Sequence, residues 1–348
     1  MTEYTYFPRN DKLSEFQDKL DSTFWSADEV DYDSDRIVMS TLENLATIEN
    51  KQEKIGDVVI TSEQAKNIIE FVKNVLCLFA QLDGVVIENL VKNFTTEISR
   101  GEKEIEQFYI AQAHNELVHS KSYGMQVETL IKDKQEKLAI YQAALKYKAV
   151  KAITDWTLTW FDTSLPVMDR LIAFCCVEGI IFTSGFVAIY RLKEWGLFVK
   201  GLCNANEFIS KDEAVHTDAG IYFYHHKADK GELARLSTER VYEIVDAAVV
   251  LASTFSDEAI NPELVGLDSE DMKKYIRLAA DKLLLDLKYP KKYNIPENPF
   301  KWMEKIAMFN ISNMFESKVT AYRRGLATED TSDGWDKPFQ RYAVENKN

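Results

Sequence analysis

Proline is missing from the whole stretch between Pro8 and Pro166, and the 348-residue chain has only 13 glycines. So few turn formers exclude an architecture of many short strands and tight turns. The same stretch is rich in Leu, Ala, Glu, Lys, Gln and Ile, which predicts long helices. No Gly/Pro/Ser-rich linker divides the chain. Lysine and arginine never cluster beyond a pair or so, and the formal net charge is −14, which excludes a phosphate-binding surface and hence nucleic acid as a partner. Cysteine is confined to Cys77, Cys175, Cys176 and Cys203, in apolar or helical stretches at no zinc-like spacing, so reduced, buried thiols are expected. The first residues, Met-Thr-Glu-Tyr-Thr-Tyr-Phe-Pro, have neither a basic start nor an apolar run, so no secretory signal is expected and a reducing, cytoplasmic location is.

Long apolar runs are also scarce. Leu171 to Tyr190 is the one stretch long enough to cross a bilayer, and it carries Glu178 near its middle. A mid-membrane carboxylate is costly, whereas a helix apolar on all sides suits the centre of a large bundle, so no membrane association is expected.

What is present is a repeated spacing. Glu116 and His119 stand three apart in Glu-Leu-Val-His-Ser-Lys-Ser-Tyr, and Glu213 and His216 repeat it in Lys-Asp-Glu-Ala-Val-His. At about 100° per residue each pair shares a helix face, and Tyr123, seven residues after Glu116, returns to it. Two such motifs, with one carboxylate from each of two further helices, make the inward-facing site of a di-metal carboxylate bundle. Glu178 is one candidate. Asp83, in Gln-Leu-Asp-Gly-Val-Val, is the other, although the following Gly84 equally allows a helix-interrupting or surface aspartate.

Four carboxylates (Asp83, Glu116, Glu178, Glu213) and two imidazoles (His119, His216) are neutralised by two divalent cations. Without metal the carboxylates would repel one another and take up protons. Histidine beside carboxylate favours iron or manganese over calcium or magnesium, and no cysteine-rich set points to structural zinc. Cys175, three residues before Glu178, reads as a packing thiol. Tyr123, one turn after His119, can be oxidised by such a centre, or serve as an ordinary core tyrosine. Phe182 and Phe186 would supply part of an apolar sleeve around it.

Along the chain, Ser62 is expected to cap a helix that runs through Ile68, Phe71 and Phe79. Further helices are expected at about 101–132, 133–161, 229–256 and 269–287, with a last one from Asn298 to about Arg324. His225 and His226, beside Lys227, read as a solvated helix end. The organisation expected is an N-terminal arm over residues 1–35, an all-α bundle over 36–324, and a flexible polar tail over 325–348.

With these residues in place the chain resembles the small, radical-generating subunit of class I ribonucleotide reductase, in its eukaryotic-like form. The resemblance runs from Phe24-Trp25 to Tyr322. It is carried by Leu82-Asp-Gly-Val-Val-Ile-Glu-Asn-Leu90, Asn115-Glu-Leu-Val-His-Ser120, Val177-Glu-Gly-Ile180, Asn206-Glu-Phe-Ile-Ser-Lys-Asp-Glu213, Asn298-Pro-Phe-Lys-Trp-Met303 and Phe315-Glu-Ser-Lys-Val-Thr-Ala-Tyr322. It implies a ferritin-like di-metal bundle with additional helices and a di-iron-oxo centre, with manganese as the other candidate metal. It further implies that Asp83, Glu116 and His119 hold one ion and Glu178, Glu213 and His216 the other, and that Tyr123 is the radical site fed by molecular oxygen. Trp25, Asp212 and His119 would form a hydrogen-bonded electron route, continued by Tyr322 into a large catalytic subunit that docks the tail. A homodimer is implied as well. Two departures stand out: Lys211 replaces the usual arginine before Asp-Glu, and the tail ends Tyr342-Ala-Val-Glu-Asn-Lys-Asn without the acidic residue and terminal Phe or Leu expected for docking. The alternatives are a self-contained di-metal oxidase of the same bundle, which would not need Trp25, Asp212 and Tyr322 together, and an iron-storage bundle, for which the chain is about twice too long.

Overall fold

The computed structural model describes residues 10–142 and 147–303; within its third helix the side chains of Leu78 and of residues 80–85 lie outside that description. Residues up to Pro299 form one compact unit, and Phe300–Met303 begin a second, in which the rings of Phe300 and Trp302 lie 5.8 Å apart. Of the helix expected from Asn298 to Arg324 only residues 298–303 are described, and of these only Trp302 and Met303 are helical; the rest of it and the tail lie outside the described residues.

The architecture is all-α, as the shortage of turn formers predicts. Helices α1 (Asp11–Thr23) and α2 (Tyr32–Ala46) lead to a hairpin of β1 (Gln52–Ile55) and β2 (Val58–Thr61), then to α3 (Ser62–Asn89), α4 (Lys103–Leu130), α5 (Lys134–Tyr141) and α6 (Lys148–Thr159). Next come α7 (Val167–Cys176), a π-helical turn at Val177–Ile181, and α8 (Thr183–Glu194), which together form one long apolar rod. The chain continues with α9 (Leu202–Asp229), α10 (Thr238–Phe255) and α11 (Ser269–Asp286). Helix α3 packs on α4, α4 on α9, α9 on α7 and α8, and α8 back on α3, which closes a four-helix core; α1 lies on α4, and α10 and α11 cover the outer side of α7 and the π turn. The rod from Val167 to Glu194 is apolar enough to span a bilayer, but it is buried in this core.

Several local readings are corrected. The hairpin around Gly56 was not expected from the sequence: its polar β1, Gln-Glu-Lys-Ile, gave no alternation to read, and Gly56 (φ 61°) turns where a side chain would meet the Trp195 carbonyl at 2.5 Å. Thr61, not Ser62, caps α3, in a reciprocal box in which Gln64 N–H donates to Thr61 Oγ1 (3.2 Å) and Thr61 N–H to Gln64 Oε1 (2.9 Å). The helix expected over 133–161 is two helices, α5 and α6. The one expected from Asp229 starts at Thr238, because α9 itself runs to Asp229 and Ser237 supplies the next cap. Lys227 is not at a solvated end: it is fully buried, donating to the Ser99 carbonyl (3.0 Å), Glu102 and Glu232 (2.9 Å). Burial acts to raise the Glu102 carboxyl, but Lys227, His226 and Lys230 outweigh it and hold it at about 2.

Helix α9 has no cap of its own, since Gly201 occupies that position. The buried Asp35 of α2 supplies one, accepting from Gly201 N–H (3.2 Å) and Leu202 N–H (2.6 Å). Its carboxylate also complements the positive end of the helix dipole. A Cβ on residue 201 would sit 2.5 Å from Asp35 Oδ2, so glycine is required. Asp35→Ala leaves two buried donors unsatisfied and is expected to cost about 2–3 kcal/mol. Chemical denaturation checks this against Asp33→Ala, a change at an exposed position of the same helix.

Candidate metal centre

Helices α4 and α9 are unusual in that their buried faces are polar. Gln112, Asn115, Glu116, His119, Ser122 and Gln126 line the inner side of α4, and Asn206, Asp212, Glu213 and His216 that of α9. Apolar burial by the surrounding helices holds these groups out of water, so each must find a polar partner.

The carboxylates and imidazoles among them find one another. Ligand-type atoms of Glu116, Glu178, Glu213 and His216 all lie within 4.8 Å of one another, and all four residues are buried. His119 Nδ1 faces Glu116 Oε2 and Glu213 Oε1, both at 3.1 Å; His216 Nδ1 faces Glu116 Oε1 (3.1 Å) and Glu213 Oε2 (3.0 Å). The two Glu-x-x-His pairs are thus interleaved across the α4/α9 contact, with a carboxylate of each helix reaching both imidazoles. Glu178 approaches from the π turn, where its Oε1 accepts from Gln112 Nε2 at 3.3 Å. Burial acts to lower both imidazoles, but the carboxylates prevail: His216 is pushed up to about 9 by Glu116 and Glu213, and His119 well above its usual value by Asp212, Glu116 and Glu213. Glu213, which burial would raise, is held low by Glu178 and the two imidazoles. The same oxygen and nitrogen atoms are a donor set suited to iron or manganese.

One oxygen joins this cluster to the N-terminal segment. Asp212 Oδ2 accepts from both His119 Nε2 (3.1 Å) and Trp25 Nε1 (2.9 Å), and all three residues are buried. His119 is thereby oriented, with Nδ1 inward and Nε2 outward. The Trp25 ring stacks on His119 (6.1 Å, 22°) and packs on Phe208 (5.2 Å), over which Lys211 extends.

Tyr123 is buried one turn beyond His119. Phe79 of α3 lies flat on it, with centroids 4.8 Å apart and planes 5° apart, and Phe182 and Phe186 pack against Phe79 at 5.7 and 5.3 Å. The sleeve is thus centred on Phe79. Gly185 makes room for it, since a Cβ there would stand 2.6 Å from the Phe79 ring. Cys175 is a packing thiol: burial pushes it up to about 12, and its sulfur fills the space a side chain at Gly220 would need.

The structure brings Glu116, His119, Glu178, Glu213 and His216 together, and links Trp25 and Asp212 to them. Position 83 falls on α3, with its side chain outside the described residues, and Tyr322 lies outside them altogether. Sequence reasoning missed Gln112 and Phe79 as site residues. Gln112, one turn before Glu116 on the same face, carried a readable signal; the stacking of Phe79 did not.

Comparison with known proteins accords with this geometry. The family model "Ribonucleotide reductase, small chain" matches residues 62–299. The ribonucleoside-diphosphate reductase small chain of Spisula solidissima is 36% identical over 88% of this chain and 72% of its own, and the human subunit M2 is 34% identical over 91% and 74%. Among solved structures, a ribonucleotide reductase R2 subunit from Clostridium botulinum aligns with a TM-score of 0.68 at 18% identity, covering 85% of this chain and 88% of that one. The Rnr4 homodimer of Saccharomyces cerevisiae aligns at 0.65 and 22%, covering 92% and 89%. Streptococcus sanguinis dimanganese(II)-NrdF aligns at 0.61 and 17%, covering 84% and 93%. With its ferritin-like helical bundle and its buried carboxylate and histidine cluster, this chain belongs to the ribonucleotide reductase small-chain family.

Proposed function

We propose that this small chain generates and exports a tyrosyl radical: Asp83, Glu116 and His119 hold one metal ion, Glu178, Glu213 and His216 hold a second, and Tyr123 carries the radical. The observation that supports this most is the interleaving of the two Glu-x-x-His pairs in a closed core, one turn from a buried phenol. Iron is the first candidate and manganese the second. When bound, the metal pair supplies, with molecular oxygen as terminal oxidant, the equivalent that removes one electron and one proton from Tyr123. The chain's own residues do the rest. Glu116 and Glu213 each face both histidines, so each would stand beside both metal positions. Phe79 and its aromatic neighbours exclude water from Tyr123, which protects a radical there. Asp212 fixes His119 and offers its oxygen to Trp25, giving an unbroken hydrogen-bonded path from the centre to the N-terminal segment.

The proposed partner is the large catalytic subunit, which would take up the radical through Trp25 and Tyr322, be docked by the C-terminal tail, and reduce the ribonucleotide. A homodimer completes the proposal. It is supported by the exposed Ile110 and Leu117 on one face of α4, where His114 between them stacks on the exposed Phe24 (5.7 Å, 10°). The assembly is placed in the cytoplasm. A self-contained oxidase or an iron-storage bundle is not favoured, since neither uses the Trp25–Asp212–His119 path.

The test is deoxyribonucleotide formation on mixing with a cognate large subunit. Tyr322→Phe and Trp25→Phe are expected to keep metal loading and the Tyr123 radical while turnover per stored radical falls to background. Subunit affinity is measured in parallel so that weak docking is not mistaken for a broken path. Near wild-type turnover by Tyr322→Phe would remove that residue from the route.

A further inference from the structure

The centre is closed on one side and open on the other. Trp25 covers His119, and Phe79 covers Tyr123. Opposite them, between α8, α9 and α11, lies a cavity of about 600 Å³ that reaches Glu178 and Glu213 at its inner end and the exposed Lys282, Leu285 and Asp286 at its outer end. Glu116, His119 and His216 are not among its lining residues.

The walls are mainly apolar and include Lys282 and Lys291, but the oxygens set among them follow a definite order. Asp286 at the mouth is paired with Lys282 (2.6 Å), and Asp281 is occupied by the backbone N–H groups of Lys292, Tyr293 and Ile295 at 2.8–3.0 Å. Asp218 lines the cavity; Lys282 and Lys19 act on its carboxylate through space, but no hydrogen bond or ion pair within 4 Å engages it among the described residues. Thr217 Oγ1, one helical turn beyond Glu213, likewise has no partner there. A hydrated cation entering at α11 would therefore meet the Asp218 carboxylate, then the Thr217 hydroxyl, then the two buried glutamates.

We propose that divalent metal ions enter and leave the centre through this cavity, so that the position served by Glu178 and Glu213 exchanges with solvent before the position served by Glu116 and His119. This rests on the two-metal reading above and adds an order to it.

The walls provide variants that add bulk without removing a contact. Ala214 on α9 is exposed and Ala279 on α11 is half-buried, and both line the cavity. Ala214→Phe and Ala279→Phe plug it from opposite sides, and Val250→Phe, at an exposed position of α10, is the control. The metal-free chain is mixed with manganese(II), and uptake is followed by loss of the free-ion paramagnetic resonance signal; final stoichiometry and thermal stability are measured on the same samples. Both plugs are expected to slow uptake on the order of tenfold or more while the ions bound at equilibrium stay at the wild-type number. A chelator is expected to strip the wild type in two phases, with the plugs slowing the faster one. Wild-type uptake rates in both plugged variants, at unchanged stability and stoichiometry, overturn the passage and leave the metal centre standing. A wild type that takes up no manganese at equilibrium overturns the two-metal reading and the passage with it.

Discussion

Tyr123→Phe is expected to bind the wild-type complement of metal, to show no tyrosyl radical signal after ferrous iron and oxygen are added, and to support no nucleotide reduction with the large subunit. The change removes only a hydroxyl. The ring keeps its flat contact with Phe79, so the packing of α3 against α4 is retained and stability should move by about 1 kcal/mol or less. Metal analysis, electron paramagnetic resonance and turnover on one preparation separate these effects. An identical radical in the variant would assign it to another residue, and Tyr32, whose hydroxyl lies 2.6 Å from Ser122 Oγ beside Tyr123, would be the first to examine.

Glu213→Ala is expected to have the larger effect on the centre itself. This carboxylate faces both imidazoles, so its removal takes a ligand from one position and a neighbour from the other. At least one ion per chain should be lost, and oxygen-dependent radical formation with it. Breaking a buried charge pair from one side also costs about 3–5 kcal/mol, so the alanine variant is paired with Glu213→Gln, which keeps the volume and one oxygen. Two ions per chain in Glu213→Gln, at wild-type affinity, would remove Glu213 from the ligand set. Glu178→Ala provides the same comparison from the opposite wall.

The centre was readable wherever helix geometry alone fixed the relation between residues. Glu116 with His119, and Glu213 with His216, are three apart, and a helix of any context puts such pairs on one face. Glu178 was conspicuous because a carboxylate inside the most apolar helix needs a reason. Trp25 and Asp212 came from resemblance, since nothing local ties residues 187 positions apart. What escaped reading depends on packing between distant segments. Phe79 lies on Tyr123 only because α3 meets α4 and Gly185 opens space on a third helix. Lys227 looked solvated because its partners, Glu102 and the Ser99 carbonyl, are more than a hundred residues away. The hairpin at Gly56 escaped for a different reason: its strands, the mostly polar Gln-Glu-Lys-Ile and the mostly apolar Val-Val-Ile-Thr, are four residues each and too short to show a period.

The π turn at Val177–Ile181 has a consequence for how this chain tolerates length changes. Phe182 N–H bonds to the Val177 carbonyl at 3.3 Å, five residues back, so the turn holds one residue more than an α-helix would. That surplus sets the angular phase of α8 relative to Glu178. Removing one residue would give a more regular, intrinsically more favourable helix, yet it would rotate everything after Phe182 by about 100° and swing Gly185 away from the Phe79 ring, bringing a bulkier neighbour into its place. Local regularity and the shape of the centre are in opposition at this turn, so a conservative substitution at Val177, Ile180 or Ile181 can be forgiven where a one-residue deletion cannot.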